Sequence, residues 1–144
     1  MFLLDANLWM QLARSRPHAP EVRAFLGAIP SERLFVTDFA VNSIAINFER
    51  RDQLKELPAF LDMSSIGTDI TILKLDISGI RKAVDTAMNL KLDYDDAYQY
   101  VAADLFGLKL VSLDTDFDKT PNGRLTPAAA MKLFNETLET KPGE

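Results

Sequence analysis

Short apolar runs alternate along this chain with segments of helical period, and few folds accommodate that alternation. Residues 1–5, Met-Phe-Leu-Leu-Asp, form an apolar run that stops at Asp5. A strand buried on both faces reads this way, because a parallel sheet covered by helices leaves no solvent face for polar residues. Residues 34–37, Leu-Phe-Val-Thr, and the alternating, β-branched stretch 70–75 are further strands. The run 108–113 is the fourth, and it too stops at an aspartate, Asp114.

The intervening segments read as helices. The first covers about 7–14 and ends in a turn over 16–20, with Pro17 and Pro20 as breakers. The second covers 21–28 and closes at Pro30. Thr37 or Asp38 caps a third that reaches about residue 51, with Val41, Ile44, Ala45 and Phe48 in helical period. Residues 55–63 form a fourth, and Ile77, Ile80, Val84, Ala87 and Met88 mark a fifth. A sixth starts near Tyr94 and stops at Gly107. Thr126 caps the last, with Pro127 at its first position, and it runs to about 138.

Strands alternating with helices imply a three-layer α/β/α fold around a mainly parallel sheet of about four to five strands. The 144 residues suit one domain, expected over 1–138, with a flexible tail at 139–144. In such sheets ligands bind beyond the carboxyl ends of the strands, near the point where strand order reverses.

Composition removes several chemistries. The chain has no cysteine, so disulfides, thiolate metal sites and cysteine nucleophiles are excluded. His18, the only histidine, sits beside a proline on a turn, which removes Ser–His–Asp catalysis and most zinc sites. No Gly-rich phosphate loop is present. The opening MFLLDANLW has no basic leader, and no segment approaches the roughly 18 apolar residues of a membrane helix, so the expectation is a soluble, cytoplasmic protein. The net charge of −5 argues against a passive binder of nucleic acid, which is usually basic. It argues less against a nuclease, because a bound divalent cation reverses the sign of the local field.

The candidate chemistry is acidic. Asp5 and Asp114 end strands, Asp116 follows two residues on, and Asp96 lies in the first turn of a helix. At about 4 Å and an effective dielectric near 20, one pair of like charges costs roughly 4 kcal/mol. Such a group persists by binding a cation, by protonating, or by not being a group at all. Mg²⁺ or Mn²⁺ is the matching ion, since both take oxygen donors. Each residue also has a structural reading. Asp5 can cap the first helix, Asp93 and Asp96 can form a capping box, and Asp114-Thr115-Asp116 is rich in turn formers. Asp93, Asp95 and Asp118 read as solvated charges, Tyr94, Tyr98 and Tyr100 as packing residues, and Trp9 as part of the first helix's packing face.

Three motifs resemble the PIN-domain family, especially its small VapC-like members: MFLLDANLW, DDAYQYVAADLFGLKLVS and LVSLDTDFD. The resemblance spans roughly residues 1–130, and the spacing from Asp96 through Gly107 to Asp114 is its most specific part. It implies metal-binding roles for Asp5, Asp96 and Asp114, with Asp116 as an additional ligand. It gives Asn7 and Ser112 the role of polar neighbours that orient those carboxylates. It also implies a metal-dependent endoribonuclease with an RNA substrate, a small antitoxin protein as partner, and a homodimer. One departure stands out. The family's glutamate, about six residues beyond a Ser or Thr, falls here on Ser43. Asp38 and Asn42 are the residues placed to compensate.

Two other classes compete. A PIN-fold binding module, catalytically weak for want of that glutamate, stays open. A phosphotransfer enzyme built on LVSLDTDFD is disfavoured, because too little chain follows the motif to build the rest of such a domain.

Overall fold

The computed structural model describes residues 1–140. Four short strands form one parallel sheet: β1 (Phe2–Leu4), β2 (Leu34–Thr37), β3 (Thr71–Leu73) and β4 (Lys109–Val111), in the order β3-β2-β1-β4. Seven helices surround it: α1 (Ala6–Ala13), α2 (Ala19–Ala28), α3 (Asp38–Arg50), α4 (Leu57–Ser64), α5 (Ile77–Leu90), α6 (Tyr94–Leu105) and α7 (Pro127–Glu139). The expected architecture, three layers around a mainly parallel sheet of about four to five strands, is observed with four strands, all parallel.

Alternation along β1 builds the layers. Phe2 and Leu4 join a core with Leu8, Trp9, Phe25, Ile44, Phe60 and Phe134, which come from α1, α2, α3, α4 and α7. Leu3 faces the other way, into a core with Ala83, Tyr98, Val101, Ala102 and Phe117, supplied mainly by α5 and α6. A three-residue strand therefore contributes to two cores, which is why every residue of β1 is buried.

Local chemistry fixes the helix ends. The Thr37 hydroxyl accepts the Ala40 amide at 3.0 Å and Asp76 accepts that of Gly79 at 2.8 Å. Thr126 does the same for Ala129 at 3.1 Å, with Pro127 behind it. Gly107 takes φ +67° after α6, a conformation costly for a residue with a Cβ.

Several boundaries differ from expectation. Pro20 lies inside the first turn of α2 rather than ending the preceding turn, since a proline there forfeits only an amide that has no helical partner. The segment 55–63 splits into a short 3₁₀ turn, Leu54–Glu56, and α4, where Pro58 occupies an equivalent early position. The strand expected over 70–75 joins the sheet only through Thr71–Leu73, at its edge, while Ile70 forms an isolated bridge with Ile66. α7 includes Glu139, where a tail was expected, and residues 141–144 of that expected tail lie outside the described residues. Among the described residues, no helix is long and apolar enough to cross a membrane.

Candidate metal centre

The chain runs outward from β1 to β2 and β3, then returns to pair β4 on the other side of β1. Strand order thus reverses between β1 and β4, and the carboxyl ends of these two strands flank the expected binding crevice. Leu4 pairs with Val111, and the Asp5 amide donates to the Val111 carbonyl at 3.0 Å. That register carries Asp5 and Ser112 to the same edge. A cleft of about 220 Å³ opens there, lined by Asp5, Asn7, Ser43, Asp96, Gln99 and Asp114 among others.

Asp5 is only 7% exposed, and four donors hold it. Its Oδ1 accepts the Ala6 amide at 2.8 Å and the Gln99 side-chain amide at 3.2 Å. Its Oδ2 accepts the Ser112 hydroxyl at 2.8 Å and the Asn7 amide at 3.4 Å. Asp5 therefore does cap α1, yet it also lines the cleft. Burial raises its pKa against these hydrogen bonds, and the negative charge of Asp114 adds to the rise.

Ser112 and Asn7 tie the two strand ends together. The Ser112 oxygen accepts the Asn7 amide at 3.1 Å and the Asp114 backbone amide at 3.0 Å. The Asn7 carbonyl oxygen accepts the Leu113 amide at 3.3 Å. Asp114 in turn accepts the Asp116 amide at 2.8 Å, which starts the 3₁₀ turn Thr115–Lys119. Arg124 braces this loop by donating to the Ser112 carbonyl at 3.1 Å and to Asp118 at 3.0 Å.

Asp96 comes from the first turn of α6. The capping box with Asp93 does not form: Asp93 makes no side-chain cap bond, and the Asp96 amide donates instead to Asp95 at 3.0 Å. Burial raises the Asp96 pKa to about 7, helped by the charges of Asp95, Asp114, Asp5 and Asp93.

The donor set fits a hard divalent cation. Oxygen atoms of Asp96, Asp114 and Asp116 lie within 4.8 Å of one another. Two donors on one Mg²⁺, each at about 2.1 Å, stand at most about 4.2 Å apart, so modest side-chain rotation closes the site. Asp5 faces the same cleft but lies outside that triad, and all four of its acceptor positions are already engaged. Its 3.4 Å contact with Asn7 is the one that yields most readily to a cation. No histidine lines the cleft.

Of the residues placed to replace the missing glutamate, neither reaches the cleft. Asp38 is not part of its lining. Its Oδ1 accepts the Tyr98 hydroxyl at 2.7 Å and the Phe39 amide at 2.8 Å. Asn42 is exposed and also outside the lining. Ser43 does line the cleft, and its hydroxyl donates to the Phe39 carbonyl at 3.0 Å.

Sequence reasoning missed two features. Gln99 is buried, donates to Asp5, and accepts the Thr37 hydroxyl at 2.7 Å. Its signal was available: it is the one polar residue in the otherwise apolar or aromatic stretch 97–103. Asp95, read as a solvated charge, is exposed but borders the cleft.

No curated protein matches this sequence. Solved structures do match in fold. One is a toxin–antitoxin complex from Klebsiella pneumoniae, with TM-score 0.69 and 22% identity over 88% of this chain and 98% of that one. Another is Mycobacterium tuberculosis VapC20, a toxin that cleaves the sarcin–ricin loop, with TM-score 0.73 and 10% identity over 87% and 98%. A third is VapBC2 from Rickettsia felis bound to a promoter DNA fragment, with TM-score 0.67 and 11% identity over 86% and 96%. The PIN domain family profile matches residues 2–123, a span that contains all four strands of the sheet and the four candidate aspartates Asp5, Asp96, Asp114 and Asp116. With sheet order, aspartate placement and sequence profile in agreement, this chain belongs to the PIN domain family.

Proposed function

We propose that this protein is a Mg²⁺- or Mn²⁺-dependent endoribonuclease, the toxin of a toxin–antitoxin pair. The observation that carries the reading is the convergence of Asp5, Asp96 and Asp114 on one cleft, with Asp116 outside its lining but within 4.8 Å of Asp96 and Asp114. The fold it shares with a toxin that cleaves the sarcin–ricin loop supports RNA as the substrate. The complexes with similar folds support a small antitoxin as partner. A homodimer and a cytoplasmic site of action complete the proposal.

When bound, a divalent cation acidifies water, neutralises phosphate charge and supports the leaving oxygen. The chain's own residues do the holding. Asp96, Asp114 and Asp116 offer oxygens to the ion, and Asp5 offers one from the floor of the cleft. Asn7 and Ser112 fix the Asp5 carboxylate, and Ser112 also fixes the loop bearing Asp114. Gln99 holds Asp5 from the α6 side. The cleft is small, so it accommodates a phosphodiester and leaves base contacts to surrounding surfaces.

The test is cleavage of structured RNA with Mn²⁺, with and without chelator, by the native chain and by Asp5→Asn and Asp96→Asn. Metal-dependent cleavage that both substitutions abolish is the expected result. Cleavage unchanged in both removes the proposal. Ser43, standing where the family places a glutamate, favours a second reading, a PIN-fold binding module. Absence of Mn²⁺ binding at millimolar concentration in calorimetry selects that one.

A further inference from the structure

We propose that Asp95 supplies the cleft with the carboxylate that α3 lacks. This rests on the nuclease reading and adds a metal-holding residue to it. Ser43 lines the cleft from α3 without a charge, while Asp38 and Asn42 stay outside it. Asp95 lines the same cleft from α6, beside Asp96. Consecutive helical residues point about 100° apart and ordinarily serve different surfaces. In the first turn, however, side chains lean toward the helix N-terminus, and both carboxylates overhang the opening there.

Asp95 is equipped for the task. Its Oδ1 accepts the Asp96 amide, and its Oδ2 has no hydrogen-bond partner among the described residues. It is exposed, so this oxygen is open to solvent at the mouth of the cleft. Carboxylate oxygens of Asp93, Asp95 and Asp96 lie within 4.8 Å of one another, but Asp93 does not line the cleft. The cleft is therefore lined by four carboxylates, Asp5, Asp95, Asp96 and Asp114, with two drawn from α6 and none from α3. At the solvated rim, Asp95 would help hold a hard divalent cation, which keeps several of its waters.

The experiment is Mn²⁺ titration of the full chain by calorimetry, with electron paramagnetic resonance as a second readout. Asp95→Asn is expected to weaken binding about tenfold, the low end for outer partners of a metal site. Asp93→Asn removes the same charge from a residue that does not line the cleft and is expected to weaken binding less than Asp95→Asn does. Adding Ser43→Glu to the Asp95→Asn chain is expected to restore affinity. Native-like binding by Asp95→Asn overturns the inference and leaves the nuclease reading intact. Equal losses in Asp93→Asn and Asp95→Asn also overturn it, since a general field effect then suffices. Failure of the native chain to bind Mn²⁺ removes both.

Discussion

Gln99 donates its amide to the buried Asp5 carboxylate at 3.2 Å while its carbonyl oxygen accepts the Thr37 hydroxyl at 2.7 Å. Thr37 is also the cap of α3, so one buried amide joins the floor of the cleft to two helices.

Replacing Gln99 by Leu leaves Asp5 one donor short and the Thr37 hydroxyl without its acceptor. The expected cost is about 1–3 kcal/mol in chemical denaturation, the range for an orphaned buried polar group. Replacing it by Glu sets a second carboxyl against Asp5. That variant is expected to be weaker at pH 8 than at pH 5, where one proton serves both groups. A Gln99→Leu chain as stable as the native one contradicts the link.

Stability without metal should fall as pH rises. The Asp96 pKa of about 7 in the fold lies above the roughly 3.9 of an unfolded chain. Between these values the folded state holds more protons than the unfolded one, so raising pH favours unfolding, with the full penalty above pH 7. The raised pKa of Asp5 acts in the same direction. Denaturation midpoints of chelated protein are expected to be higher at pH 5 than at pH 8, and Asp96→Asn is expected to flatten the slope. Mn²⁺ at about 100 times its Kd should add roughly 2.7 kcal/mol at pH 8 and less at pH 5, where protons compete. A midpoint that rises with pH in the chelated protein refutes this assignment.

Trp9 is fully buried, and its indole nitrogen has no hydrogen-bond partner among the described residues. Substitution by Ala should cost about 3–5 kcal/mol. Substitution by Phe sheds about 40 Å² of apolar area, near 1 kcal/mol. It also removes an unsatisfied donor that itself costs about 1–3 kcal/mol. The two effects nearly cancel, so Trp9→Phe is expected to unfold close to the native midpoint. Losses of similar size in both variants would show that the N–H is satisfied.

Arg124 grips the Ser112 carbonyl and the Asp118 carboxylate. Arg124→Met keeps the aliphatic stem and frees the loop that carries Asp114 and Asp116. Mn²⁺ affinity is expected to fall about tenfold, as for other outer partners of metal ligands. An unaltered calorimetric Kd indicates that the loop holds its shape without this residue.

The layered architecture was legible because β1 is too apolar for any position other than a covered sheet, and β4 buries Leu110 and Val111 beside it. Asp5 and Asp114 followed from the same runs, although only Asp5 stands directly beyond its strand; β4 ends at Val111, three residues before Asp114. Helix starts at Thr37 and Thr126 were readable because capping is a local event. The length of β3 was not, because pairing at a sheet edge depends on the neighbouring strand rather than on β-branched composition. Nor was the direction of the Asp38 carboxylate, which is set by Tyr98, 60 residues away. Asp95 was invisible for a related reason: adjacent positions on a helix share a surface only where another element closes a cleft against the first turn.

The cleft is lined by the opening turns of three helices, with Ala6 and Asn7 from α1, Phe39 and Ala40 from α3, and Asp95 and Asp96 from α6. Each helix start carries roughly half a positive elementary charge in its aligned peptide dipoles. The backbone thus acts as a permanent counter-charge that no chelator strips away. On the nuclease proposal, the acidic side chains would stay assembled while the cation exchanges with solvent, and the metal would be a replaceable part rather than a keystone of folding.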